Sequence, residues 1–123
     1  MTLECYYAGA RCGIWLCPGA QASWDAANQS VREKARSQLH ARLTLLGDSG
    51  QLRSPDHMNK EGYGIFAAKT PCGIRAYGWF TSVSGQKAFV ISHVIYKDQQ
   101  KLDPKDLAQA VKAKETYEAE NDQ

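Results

Sequence analysis

The stretch YGIFAAKTPCGIRAYGWFTSVSGQKAFVISHVIY, residues 63–96, decides the fold. Three runs rich in β-branched and aromatic residues, 63–69, 74–83 and 87–96, are separated by the turn formers TPCG and SGQ. Such spacing predicts a three-stranded antiparallel meander with tight turns. Alternation along the second run sets Arg75, Tyr77 and Trp79 on one face and Ile74, Ala76, Gly78 and Phe80 on the other. One face is thus polar and aromatic, the other apolar and small. In the third run the same rule groups His93 with Ile91, Ile95 and Lys97, and Tyr96 with Val94.

Helices flank this sheet in sequence. Upstream, Val31, Ala35, Leu39, Leu43 and Leu46 recur at spacings of four and three, predicting a helix over 30–46. Ser30 with Glu33 forms a capping box at its start, and Gly47 is the expected stop. The preceding AQASWDAAN adds a turn or a separate short helix with Trp24 packed inward. Downstream, Asp103 is the N-cap and Pro104 the first residue of a final helix whose Leu107, Ala110, Val111, Lys114 and Tyr117 fall on one stripe. Residues 2–17 read as a strand or irregular packed segment, and residues 47–62 as a turn-rich connection. The expected architecture is α+β, an antiparallel sheet with helices packed on one face, a C-terminal helix, and the polar face left open.

A chain of 123 residues reads as a single domain, 1–123. Its 43% hydrophobic and 23% charged content is ordinary for a soluble globular protein and far from a disordered composition, and the apolar start is too short to span a bilayer. The start of the chain carries Glu4 and Arg11 in its apolar segment and lacks a basic region ahead of a long apolar run, so no export signal is expected and the cytoplasm is the default location. Cys5, Cys12, Cys17 and Cys72 match no zinc-finger spacing and read as reduced thiols. The net charge of +2 is unevenly spread: residues 69–101 hold five basic side chains against Asp98 alone, whereas residues 102–123 hold three basic and six acidic ones. Positive charge concentrated on a sheet suits a polyanion, and it also suits the blunting of exposed strand edges.

An open face bearing Arg75, Tyr77 and Trp79, with Lys69 and Lys97 at neighbouring strand ends, is a basic groove with stacking surfaces, a form that suits single-stranded RNA. The competing reading packs Tyr77 and Trp79 under a helix as core. RNA cleavage by 2′-hydroxyl attack needs a base, cations for the charge developing on phosphorus, and a proton donor, and it needs no metal or cofactor. Arg75, whose planar fork matches two phosphate oxygens, is the candidate for charge stabilisation, with Lys69, Lys97 and Lys101 assisting. Candidates for acid or base are His93, Tyr96 and His57, although His93 in an apolar run also reads as a core histidine. No Gly-rich phosphate loop, no Cys/His nucleophile pattern and no metal-ligand spacing among His40, His57 and His93 competes.

Three segments carry a family resemblance. HVIYKDQQKLDPKDLAQAVKAKETY resembles the C-terminal signature of RelE/HigB-type toxins of bacterial toxin-antitoxin modules, where a His-bearing strand runs into lysines, then Gln-Lys, then Thr-Pro and an alanine-spaced helix. GYGIFAAKTPCGIRAYGWF resembles the strand pair that precedes it, and LTLLGDSGQLRSPDHMNKEGYG the helix end and Arg-x-Pro connection. The likeness covers about residues 30–118. It implies a RelE/ParE-like fold and a toxin that cleaves mRNA on the ribosome or, in the ParE branch, poisons DNA gyrase; a cognate antitoxin silences either kind. By position, Lys69 takes the basic place ending the first strand, Arg75 the arginine of the second, His93 the histidine, and Lys97 and Lys101 the lysines. Val94 departs from the family's glycine, Asp98 from its second lysine and Ala67 from its frequent acid.

The sequence thus leads to a ribosome-dependent mRNA endonuclease. Arg75, Lys69, Lys97, His93 and Tyr96 are its candidate catalytic residues, and Lys101, Lys87, Tyr77 and Trp79 its candidate RNA contacts. Its expected partners are mRNA, ribosomal RNA and an antitoxin, with no membrane and no cofactor. A gyrase poison and a degenerate relative that only binds its antitoxin are the alternatives.

Overall fold

The computed structural model of the chain describes residues 1–31, 37–54, 56–97 and 103–121. The predicted meander is present as β4 (Ile65–Lys69), β5 (Ile74–Val83) and β6 (Gln86–Tyr96), paired antiparallel. Its turns are short because the chain reverses through positive φ. Gly73 lies at φ 97° between β4 and β5, and Ser84 and Gly85 at 54° and 80° between β5 and β6. Two consecutive positive φ values match the right-handed twist of flanking strands, and glycine in the second place lowers the steric cost.

The sheet is larger than the meander. A polar segment within the expected connection forms β3 (Met58–Gly62) against β4, and the N-terminal segment forms a hairpin of β1 (Glu4–Ala8) and β2 (Gly13–Leu16). β2 then lies beside β6 in the parallel sense, pairing Gly13 with Ala88 and Leu16 with Ile91. The result is one six-stranded sheet of order β1-β2-β6-β5-β4-β3. It is therefore mixed rather than antiparallel, because the chain crosses from β2 to the far strands through helices.

These are α1 (Ala20–Asn28) and α2 (Ser37–Ser49). AQASWDAAN is a helix of its own, and Trp24 packs inward as expected. Of the expected longer helix, Leu39, Leu43 and Leu46 are fully buried, while Ala35 and the capping partner Glu33 lie outside the described residues. The helix passes through Gly47 and ends at Ser49, followed by Gly50 at φ 83°. Gly47 is in the helix because the ring of Tyr7 and the carbonyl of Cys12 press against it, leaving no room for a β-carbon.

The last element, α3 (Pro104–Asn121), begins as predicted, with Asp103 Oδ1 accepting from the amide of Lys105 at 2.9 Å. Its location corrects the expectation of helices on one face only. α1 and α2 cover the face of Ile14, Leu16, Ile74, Ala76, Phe89 and Ile91, whereas α3 lies on the opposite face against Ile65, Ala67, Tyr77, Trp79 and Val90. The fold is α+β, with a mixed sheet between two helical layers. Among the described residues no helix is long and apolar enough to cross a membrane.

Candidate functional site

The face beneath α3 is the polar-aromatic one, and alternation along β5 places Arg75, Tyr77 and Trp79 there as predicted. Lys69 of β4 pairs in register with Arg75, and Arg75 with Ile95 of β6, so the cations of adjacent strands meet in one row. Two residues beyond Ile95 comes Lys97, its amide donating to the carbonyl of Gly73 at 2.8 Å.

A β-bulge then sets the fate of His93. β6 pairs His93 with Tyr77 but Ile91 with Gly78, so Ser92 is left over. One inserted residue reverses the alternation. His93, Ile95 and Lys97 therefore face α3, while Ile91 joins Val94 in the core under α1 and α2. The grouping of His93 with Ile91 is corrected by this bulge. His93 stacks on Tyr77, ring centroids 5.3 Å apart and planes within 5°, and is 4% exposed.

The histidine is held at both nitrogens. Nδ1 lies 3.0 Å from Ser92 Oγ and Nε2 lies 3.1 Å from Asp106 Oδ1 on the first turn of α3. Asp106 Oδ2 also lies 3.4 Å from Lys97 Nζ. Burial pushes the His93 pKa down, opposed by the hydrogen bond and charge of Asp106. A single carboxylate thereby ties the end of the sheet to the helix that covers it.

A second bulge, in β3 between Lys60 and Gly62, leaves Glu61 unpaired. Its carboxyl is pushed up by burial, while the charges of Arg75, Lys69 and Lys97 pull it down. Among the described residues its Oε1 is buried without a hydrogen-bond partner. Beside it a cavity of about 210 Å³ is lined by Glu61, Tyr77, Asp103, Pro104 and Leu107. Burial, with help from the Glu61 and Asp106 charges, pushes the Tyr77 phenol up to about 12 against the opposing influence of Arg75. The Arg75 side chain is the polar neighbour of the buried Tyr77 hydroxyl.

The structure thus brings together Lys69, Arg75, His93 and Lys97. The predicted open groove is not there: Tyr77 and Trp79, each 1% exposed, are core residues under α3, so neither ring presents a face to a base in this arrangement. Lys87 lies on the other side of the sheet, over the Phe80 ring at 4.9 Å and donating to the Gly50 carbonyl at 2.6 Å. Tyr96 pairs with Ile74 and is turned away from Arg75 by the same alternation that buries Val94. Lys101 and Asp98 lie outside the described residues. His57 is tied into the backbone between Arg53 and Lys69.

Sequence reasoning missed two members, Glu61 and Asp106. Asp106 carried a usable signal, a carboxylate in the first turn of a helix that follows a cationic strand end. Glu61 carried none, because its position depends on a bulge.

Elsewhere, burial pushes the thiols of Cys12 and Cys17 up, the latter to about 11, which disfavours their thiolate forms. Among the described residues no three His, Cys, Asp or Glu side chains gather to hold a metal ion. No protein-family model matches the chain, and no curated protein sequence matches it significantly.

Proposed function

We propose that this protein is a RelE/HigB-like toxin of a toxin-antitoxin module, acting in the cytoplasm as a metal-independent, ribosome-dependent mRNA endonuclease. The observation that carries the reading is the convergence of Lys69, Arg75 and Lys97, from three adjacent strand ends, on one side of the sheet beside His93. Three cations in a partly buried setting hold a phosphodiester through charge-assisted bonds, and Arg75 can brace two equatorial oxygens of a pentavalent phosphorane. With Tyr77 and Trp79 committed to the core, recognition falls to the charged groups and to the ribosome that presents the message.

The test is expression without an antitoxin. Growth arrest with new 5′ ends inside translated codons is expected, and Arg75→Ala relieves both while the protein stays folded. An SOS response without such ends would indicate a gyrase poison instead.

One observation favours a second reading. Asp106 already engages both His93 and Lys97, and α3 covers the face, as in a relative that keeps only its antitoxin-binding role. Harmless expression of the wild-type chain would select that reading.

A further inference from the structure

We propose that Glu61 is the proton acceptor of this site, taking the proton from the ribose 2′-hydroxyl that attacks the adjacent phosphorus. The inference rests on the nuclease reading above and names a residue that neither spacing nor resemblance supplied.

Geometry carries it. Glu61 is the extra residue of a bulge, the device by which a strand re-aims one side chain, and bulges concentrate beside active sites. Among the described residues its Oε1 has no hydrogen-bond partner although it is buried, an arrangement whose cost calls for a reason in use. It borders the 210 Å³ cavity on the side of Tyr77, and it lies within reach of the charges of Lys69, Arg75 and Lys97, the groups placed for the phosphate. Across the cavity stands Asp103 at the start of α3. Among the described residues, the charged and titratable groups facing Glu61 are therefore three cations, one carboxylate and the Tyr77 phenol.

A counter-ion and a base differ in what their free oxygen does. A carboxylate serving only to neutralise cations would be expected to bind with both oxygens, as Asp106 does towards His93 and Lys97. Glu61 instead leaves one oxygen unengaged. Burial moves its proton affinity towards neutral pH, which improves a carboxylate as a general base.

The step balances. The 2′-hydroxyl proton passes to Glu61 as the 2′-oxygen forms a bond to phosphorus; the bond from phosphorus to the 5′-oxygen breaks with its electron pair, and that oxygen takes a proton from water. The products are a 2′,3′-cyclic phosphate and a 5′-hydroxyl end. Glu61 then returns its proton to solvent.

The experiment is cleavage of a translated mRNA on purified ribosomes by wild type, Glu61→Gln and Glu61→Asp between pH 5 and 8. Glu61→Gln is expected to lower the rate about 10²-fold or more at unchanged concentration dependence. It also removes the acid limb of the pH-rate profile, which Glu61→Asp retains at a reduced rate. Glu61→Gln should remain folded, with a thermal midpoint at pH 7 no lower than that of wild type, since it replaces a desolvated charge by a neutral isostere. Wild-type rates in Glu61→Gln with the acid limb intact would overturn the assignment and leave the nuclease reading standing. So would a fall in rate in both variants that follows loss of folded protein alone. Absence of cleavage by the wild type would remove both.

Discussion

The two faces of the sheet are built on different terms. Under α1 and α2 the packing is mainly apolar: Trp24, Leu39, Leu43 and Leu46 from the helices meet Ile14, Leu16, Ile74, Phe89 and Ile91 from the strands, and the polar contacts are few, such as Ser23 Oγ accepting from the Val94 amide and Gln38 Oε1 from the Cys72 amide. Under α3 the aromatic rings of Tyr77 and Trp79 share the layer with His93, Asp106, Lys97 and Glu61. Among the described residues, Glu61 Oε1 and Trp79 Nε1 are buried there without a hydrogen-bond partner, as are Asn28 Oδ1 on α1 and Arg42 Nε on α2. Each such atom costs about 1–3 kcal/mol. What separates the faces is therefore charge: His93, Asp106, Lys97 and Glu61 are drawn into the layer under α3, whereas the layer under α1 and α2 is built on apolar packing.

The sharpest way to break this contrast is to cut into the apolar face. Phe89, fully buried between the helices and Phe80, should lose about 3–5 kcal/mol on replacement by Ala, through transfer and cavity costs together. Urea unfolding followed by circular dichroism measures it, and a loss below about 1 kcal/mol would remove the distinction between the faces. Gly78→Ala comes next. A β-carbon at Gly78 would sit 2.2 Å from the carbonyl oxygen of Val90 and 2.9 Å from the Phe89 ring, so the backbone itself must move. Overpacking of this kind costs about 1–3 kcal/mol, more where backbone is the obstacle, and the same unfolding curve reads it.

How far these faces were legible follows from their physics. β5 alternates cleanly, so the division between Arg75, Tyr77 and Trp79 and their apolar neighbours was written in the sequence, as was the Asp103 cap with Pro104. What escaped was whatever depends on one residue too many. The bulges at Ser92 and Glu61 leave no mark on a two-residue period, yet they choose the faces of His93 and the partners of Glu61. β3 escaped for another reason: as a sheet edge it is polar and short, features that also describe a loop. The parallel placement of β2 required the crossover through α1 and α2, which is long-range information. Coverage of the polar face by α3 was missed because its stripe of Leu107, Ala110, Val111 and Tyr117 shows that the helix packs, and not against which surface.

The contacts that fasten α3 are the next test. Asp106→Asn removes the charge that engages His93 and Lys97, and a loss of roughly 1.5–3 kcal/mol is expected at pH 7. Its pH dependence is more telling. The pKa of His93 is depressed from its ordinary 6.5, so the folded state favours the neutral ring. That contribution is complete above 6.5 and is lost as pH falls through the folded value, because the unfolded chain then binds the proton more readily. Asp106 opposes the depression; without it the folded value drops further and acid destabilisation deepens. Thermal midpoints between pH 8 and 5 should fall more steeply for Asp106→Asn than for wild type, and less steeply for His93→Gln. Parallel curves for all three would show that His93 does not report on the seating of α3.

Tyr117, near the far end of α3, gives the smallest effect. Tyr117 packs on Trp79 with ring centroids 5.8 Å apart, and its hydroxyl donates to the Ser82 carbonyl over 3.4 Å. A bond that long, at an exposed position, contributes little, whereas the ring's contact with Trp79 is independent of the hydroxyl. Tyr117→Phe should therefore change stability by less than about 0.5 kcal/mol, while Tyr117→Ala, which uncovers the edge of Trp79, should cost several times more. If Tyr117→Phe instead cost as much as Asp106→Asn, the helix would be held by its polar contacts at both ends. The polar face would then owe its closure to hydrogen bonds throughout, where the geometry assigns that closure to Asp106 at the start of α3, to the packing of Leu107, Ala110, Val111 and Tyr117 along it, and to the ion pair of Glu120 with the Met1 ammonium at its end.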